Sequence, residues 1–176
     1  MKELKYYINE AFKINKNIKL KKYNFFPKTR KELIDIIKQR IADEGNECDL
    51  NDIDVSEITN MSYLFCEIKE FDGDISKWDV SNVKEMRSMF WNSMFNQDIS
   101  KWDVSNVTDM NSMFSQSNFT GDISKWDVSN VKDMGSMFTI SKFNNDISDW
   151  DVSNVTDYDR IFDNCPIEEK YKPKFK

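Results

Sequence analysis

The sequence predicts an α/β repeat fold, a leucine-rich-repeat-like solenoid of short parallel strands and short helical turns with an N-terminal helical cap. Two observations carry that expectation. Asp74-Ile75-Ser76-Lys77-Trp78-Asp79-Val80-Ser81-Asn82-Val83 recurs at Asp98 to Val107, at Asp122 to Val131 and, with Asp149 replacing the lysine, at Asp146 to Val155. Each step is 24 residues, and a worn first copy, Asp49 to Ile58, is offset by 25. Periods of about 20–29 residues mark stacked repeats whose single units are unstable alone. The second observation is the inward pattern of one unit. Trp102 and Val104 are two apart, as on one face of a strand, and Met110, Met113 and Phe114 follow the spacing of one helical face.

Three regions follow in order. Residues 1–48 form a basic arm and a helical cap. Tyr6, Tyr7, Ile8, Ala11, Phe12, Phe25 and Phe26 make residues 1–26 too apolar for a free tail, so a helix packed on the cap is expected there. Thr29 and Glu32 make a capping box ahead of Leu33, Ile36, Ile37 and Ile41, and Gly45 closes that helix. Residues 49–165 hold about five repeats, whose aromatic residues predict three core ladders. These are Phe71-Phe95-Phe119-Phe143, Phe65-Phe90-Phe114-Phe138-Phe162 and Trp78-Trp102-Trp126-Trp150. Tyr158 and Ile161 replace the two methionines in the last unit, Cys165-Pro166 stops the pattern, and 166–176 is a basic tail.

Residues 49–165 closely resemble the BspA-like leucine-rich repeats known from bacterial surface proteins and mycoplasma lipoproteins. The run Phe-Asn-Gln-Asp-Ile-Ser-Lys-Trp-Asp-Val-Ser-Asn-Val-Thr-Asp-Met-Asn-Ser-Met-Phe at 95–114 carries the resemblance. It implies a right-handed solenoid that binds partners and catalyses nothing, with adhesion as the role of exported relatives. Richness in Lys, Asn, Ile and Phe suggests a bacterial or phage source.

Composition narrows the function further. Histidine is absent from the 176 residues, which removes imidazole bases and His-ligated metals, and no nucleophile–base pair is visible. The chain is therefore expected not to be an enzyme and to need no cofactor. Cys48, Cys66 and Cys165 have no CxxC spacing, against both a disulfide framework and a four-thiolate metal site. Calcium is set aside too, because no EF-hand loop is present. No apolar run approaches the roughly 18 residues of a membrane span, and the first residues show no secretory signal. A cytoplasmic location is expected, or a surface one if export uses other means. Residues 1–31 carry a net +8 and residues 49–167 a net −13, so an acidic body follows a basic arm.

The candidate contact residues are one aspartate column and one aromatic. Asp54, Asp79, Asp103, Asp127 and Asp151 fall between the two inward residues of each unit and should point outward. Like charges on neighbouring strands repel, so the column needs serine or backbone bonds, a cation or a basic partner. Two further acidic series have structural readings: Asp74, Asp98, Asp122 and Asp146 as turn formers, and Glu85, Asp109, Asp133 and Asp157 at helical-turn starts. Trp91, with Met94, lies outside the repeated apolar positions and is a contact candidate if exposed. The expected function is an acidic module that binds a protein or nucleoprotein partner with a basic surface inside the cell. An inhibitor of a nucleic-acid-handling defence enzyme, phage- or mobile-element-encoded, is one form of it. A surface adhesion protein is the alternative, and residues 1–31 offer a basic, aromatic route to nucleic acid.

Overall fold

The computed structural model describes residues 23–66 and 68–176. The repeats wind into five stacked coils beginning at Asp49, Asp74, Asp98, Asp122 and Asp146. The expected strands and helical turns do not form. Among the described residues there is one α-helix, α1 (Arg30–Glu44), and one 3₁₀ turn, Glu169–Tyr171. Strand pairing is reduced to isolated parallel bridges, Phe25 to Ile53 and the series Asn60–Glu85–Asp109–Asp133–Asp157. The coils are chains of turns, and the α/β solenoid of parallel strands is replaced by a stack of turn-built coils.

Side-chain oxygens and left-handed residues explain the difference. In the third coil, the Trp102 amide donates to the Ile99 carbonyl at 3.1 Å and Val107 to Val104 at 2.9 Å. Around these turns Asp98 and Asp103 accept the amides of Ser100 and Ser105 at 2.9 and 3.1 Å. Such local bonds offer the backbone an alternative to a strand ladder. Further on, Ser112 and Gln116 both have φ of 57°, and Ser88, Ser136, Asn92 and Ile140 repeat this in their coils. A left-handed residue between Met110 and Met113 stops a right-handed helix. The helical spacing of Met110, Met113 and Phe114 therefore reported a shared inward direction, because all three are fully buried, and not a helix.

Freed from helical bonding, this half of each coil pairs with the next. Met86, Ser88, Phe90 and Asn92 donate their amides to the carbonyls of Asp109, Asn111, Met113 and Ser115 at 2.8–3.0 Å. The following coils repeat the row. Inside, both phenylalanine ladders form, and of the tryptophan series, buried throughout, Trp78 stacks on Trp102 at 6.5 Å. Phe65, Phe90, Phe114, Phe138 and Phe162 stack with centroids 5.4, 5.6, 5.8 and 5.9 Å apart. Phe114 also stacks on Phe119 within its own coil at 4.3 Å. The indole N–H groups of Trp78, Trp102, Trp126 and Trp150 each donate to the preceding coil, as Trp102 does to the Ile75 carbonyl at 3.2 Å.

The first coil is capped by α1, and the last is crossed by the C-terminal tail. Thr29 Oγ1 accepts the Glu32 amide at 3.2 Å, as the capping box predicts. The returning bond to Glu32 Oε2 comes from Lys28, one residue earlier than in the standard box. Gly45 ends α1 with φ of 90° and donates to the Ile41 carbonyl. Leu33 and Ile37 are fully buried against the first coil. Arg40 fastens the helix there: it pairs with Glu44 and Asp52, donates to the Asp49 carbonyl, and lies over the Phe25 ring. The Glu44 bond, with Asp52 adding to it, raises the guanidinium pKa further still. Phe25 belongs to the cap, since its carbonyl accepts the Asp54 amide, whereas Phe26 is exposed. The helix expected over 1–26 falls on residues 1–22, outside the described residues, apart from its last four positions.

At the other end the pattern runs past Cys165-Pro166. The Glu168 amide donates to Asn144 Oδ1, and the Ile147 amide to the Tyr171 carbonyl, as in the start of a sixth coil. The tail then crosses the stack, burying Ile167, and stacks Phe175 on Tyr158 at 4.4 Å.

Candidate functional site

The acidic column is built by the turns rather than by strands. Asp54, Asp79, Asp103, Asp127 and Asp151 each accept, through Oδ1, the amide of the serine two residues on, at 3.0–3.2 Å. The Ser81 and Ser105 hydroxyls add bonds to Asp79 and Asp103 at 2.6 Å. Hydrogen bonds from Ser129 and Ser153, side chain first and backbone second, hold the carboxyls of Asp127 and Asp151 below the usual range. One oxygen is thus used inward. Asp103, Asp127 and Asp151 are exposed, and Asp54 and Asp79 half-buried.

The column does not stand alone. Asp98, Asp122 and Asp146 are exposed and close Asx turns on Ser100, Ser124 and Ser148, which is the turn-former role read from sequence. Exposed Lys77, Lys101 and Lys125 interleave the two columns, and Asp149 stands where the fifth coil lacks that lysine. The third acidic series is not at helical-turn starts, because no helix follows it. Instead it forms the bridge series, and Arg87 spans two of its members with Nε 3.0 Å from Asp109 and Nη2 2.9 Å from Asp133. Gly135 sits beside this clamp, where a Cβ would meet Asn111 Nδ2 at 2.9 Å and Asp157 Oδ1 at 3.2 Å.

Trp91 and Met94 are exposed, 37% and 55%, on the second coil, and Ile140 is exposed on the fourth. They lie in the other half of the coil from the aspartate column. Of the basic arm, Lys28 pairs with Glu57, Arg30 donates to the Ser62 carbonyl at 2.6 Å, and Lys31 pairs with Asp35. These cations are engaged within the chain, and the rest of the proposed nucleic-acid route, residues 1–22, lies outside the described residues. Among the described residues no group of three or more Cys, Asp or Glu is placed to hold a metal ion, and no helix is long and apolar enough to cross a membrane.

Two ladders escaped the sequence reading. Asn82, Asn106, Asn130 and Asn154 each donate Nδ2 to a serine carbonyl of the preceding coil, at 2.7–2.9 Å. Ser93, Ser117 and Ser141 are buried and accept the amides of Phe95, Phe119 and Phe143. Their signal was present, since a polar residue kept at a 24-residue step needs a bond that repeats at that step.

No curated protein and no solved structure matches the chain. A family model described as "Mycoplasma protein of unknown function, DUF285" matches twice, over residues 37–140 and 92–170, which together take in most of the coil stack and part of its cap. The chain belongs to that mycoplasma repeat family, DUF285.

Proposed function

We propose that the chain is a non-catalytic binding module whose aspartate column docks on a basic surface of a protein or nucleoprotein partner. The observation that carries this reading is the division of labour within each carboxylate. Oδ1 of Asp103, Asp127 and Asp151 closes the turn on the serine two residues on, and these exposed carboxylates take no hydrogen bond from another coil among the described residues. The backbone thereby fixes a row of outward acceptors at the coil spacing without ordering long side chains. A rigid row of one charge steers a complementary surface and sets its register. The resemblance of residues 95–114 to repeats that serve binding supports the same reading. An inhibitor that covers the cationic channel of a nucleic-acid-handling enzyme is one form it takes.

Affinity capture from lysate at low and at high salt tests the proposal, with the wild-type chain beside the D103N/D127N/D151N variant. Asparagine keeps the Oδ1 acceptor, so the turns survive and only charge is lost. A partner captured at low salt should be released by salt and missed by the variant. Equal capture by both chains would remove the column from recognition.

A further inference from the structure

We propose that the C-terminal edge of the last coil, at Tyr158, Arg160, Phe162 and Asn164, is a docking edge for a peptide segment of another chain carrying this same repeat motif. The inference lies beyond the aspartate column and uses a different surface. In the fourth coil, the amides of Met134, Ser136, Phe138 and Ile140 donate to the carbonyls of Asp157, Asp159, Ile161 and Asp163 at 2.7–2.9 Å. The equivalent amides of the fifth coil, Tyr158, Arg160, Phe162 and Asn164, make no hydrogen bond among the described residues. Their conformation is nevertheless kept, with φ of 56° at Arg160 and 53° at Asn164. The fifth coil thus presents the same two-residue row of donors that every earlier coil pairs.

The tail does not fill that row. It follows the coil path as far as Tyr171, then crosses to Tyr158, where the Lys176 carbonyl accepts the phenol hydroxyl and not the amide. Lys172 lies over the Phe162 ring at 5.6 Å, where a sixth coil would place its own phenylalanine. Open donor edges are templates for an added backbone with acceptors at matching spacing.

Backbone polarity selects the occupant. Two such edges cannot pair with each other over 158–164, because donors would meet donors. The complementary row of a second copy, the carbonyls of Asn60, Ser62 and Leu64, lies on the capped first coil, where Arg30 already holds the Ser62 carbonyl. What fits is the acceptor side of the motif itself, Asp-Met-x-x-Met-Phe, on a chain whose coil is uncapped. Its phenylalanine would displace Lys172 from the outer face of Phe162, opposite Phe138 at 5.9 Å. Charge does not decide the choice, since Asp157, Asp159 and Asp163 are offset by Lys172, Lys174 and Lys176.

The test titrates the isotope-labelled full chain with a synthetic peptide copying residues 108–118 and follows amide hydrogen exchange. Exchange at Tyr158, Arg160, Phe162 and Asn164 should slow by about tenfold or more. Ile161, Asp163 and Cys165, already bonded to carbonyls within the coil, serve as internal references. The proposal is overturned if the peptide fails to bind, if it protects other amides instead, or if a shuffled peptide protects the same four equally. None of these outcomes touches the aspartate column, whose charge variant is read by capture of a basic partner.

Discussion

The third coil has two unlike halves. Residues 97–109 carry Asp98, Asp103 and Asp109 against Lys101, whereas residues 110–120 carry no charged residue. The acidic half closes its backbone on its own side chains through Asx turns, and the asparagine ladder ties it to the coil before. The neutral half turns through left-handed residues and gives its amides to the coil after. Cohesion of the stack therefore rests mainly on the neutral half and the aromatic ladders beneath it. The acidic half, satisfied locally, can display charge without carrying the stack. Binding and stability are separable on that account, and four experiments break or sharpen the separation.

The largest effect is expected at Phe114, which stacks on Phe90, Phe138 and Phe119. Phe114→Ala should lower unfolding stability by about 4 kcal/mol, the usual cost of a large aromatic cavity. Chemical denaturation measures it, and a loss under about 1 kcal/mol would show that the ladder collapses into the gap. Ser117→Ala comes next. The Ser117 hydroxyl donates to the Phe114 carbonyl at 2.7 Å and accepts the buried Phe119 amide, so its removal leaves the Phe119 amide unsatisfied and the Phe114 carbonyl with the Ser117 amide alone. A loss of about 2 kcal/mol follows from that desolvation. If Asn106→Ala, in the acidic half, cost more, the assignment of cohesion would be reversed.

Arg87→Ala should cost about 1 kcal/mol, because its two ion pairs are partly exposed and screened. Raising salt should shrink the difference between variant and wild type. A salt-independent loss would mean that the arginine acts through packing.

The smallest effect is in acid. Asp98, Asp122 and Asp127 have folded pKa values lowered chiefly by their serine partners, Ser100, Ser124 and Ser129. Their contribution is present above the unfolded value, about 3.9, and is lost as pH falls through the lower folded values. Thermal melts of the D98N/D122N/D127N variant should lie slightly below wild type near pH 6 and converge on it as pH falls below ~4. An unchanged acid slope would place the acid-sensitive carboxyls elsewhere, with Asp74 and Asp146, also held below the usual range, the next to test.

The sequence by itself determined the period, the burial and the helical cap. A 24-residue step forces every coil to offer the same filler at the same place, so Phe90, Phe114 and Phe138 stack whatever the backbone between them does. Thr29, Glu32 and Gly45 bracket α1 because capping chemistry is local. The tertiary structure alone decided how the chain travels between those points. Spacings of two and of three and four residues read as strand and helix, yet in a stack they report only which side chains face inward. The choice between a ladder and a turn depends on whether Asp98 and Asp103 bond their own backbone or leave it to a neighbour. It depends equally on whether Ser112 and Gln116 accept a left-handed conformation to reach the next coil. Both choices balance a local bond against one made 24 residues away, and that balance exists only once the coils are stacked.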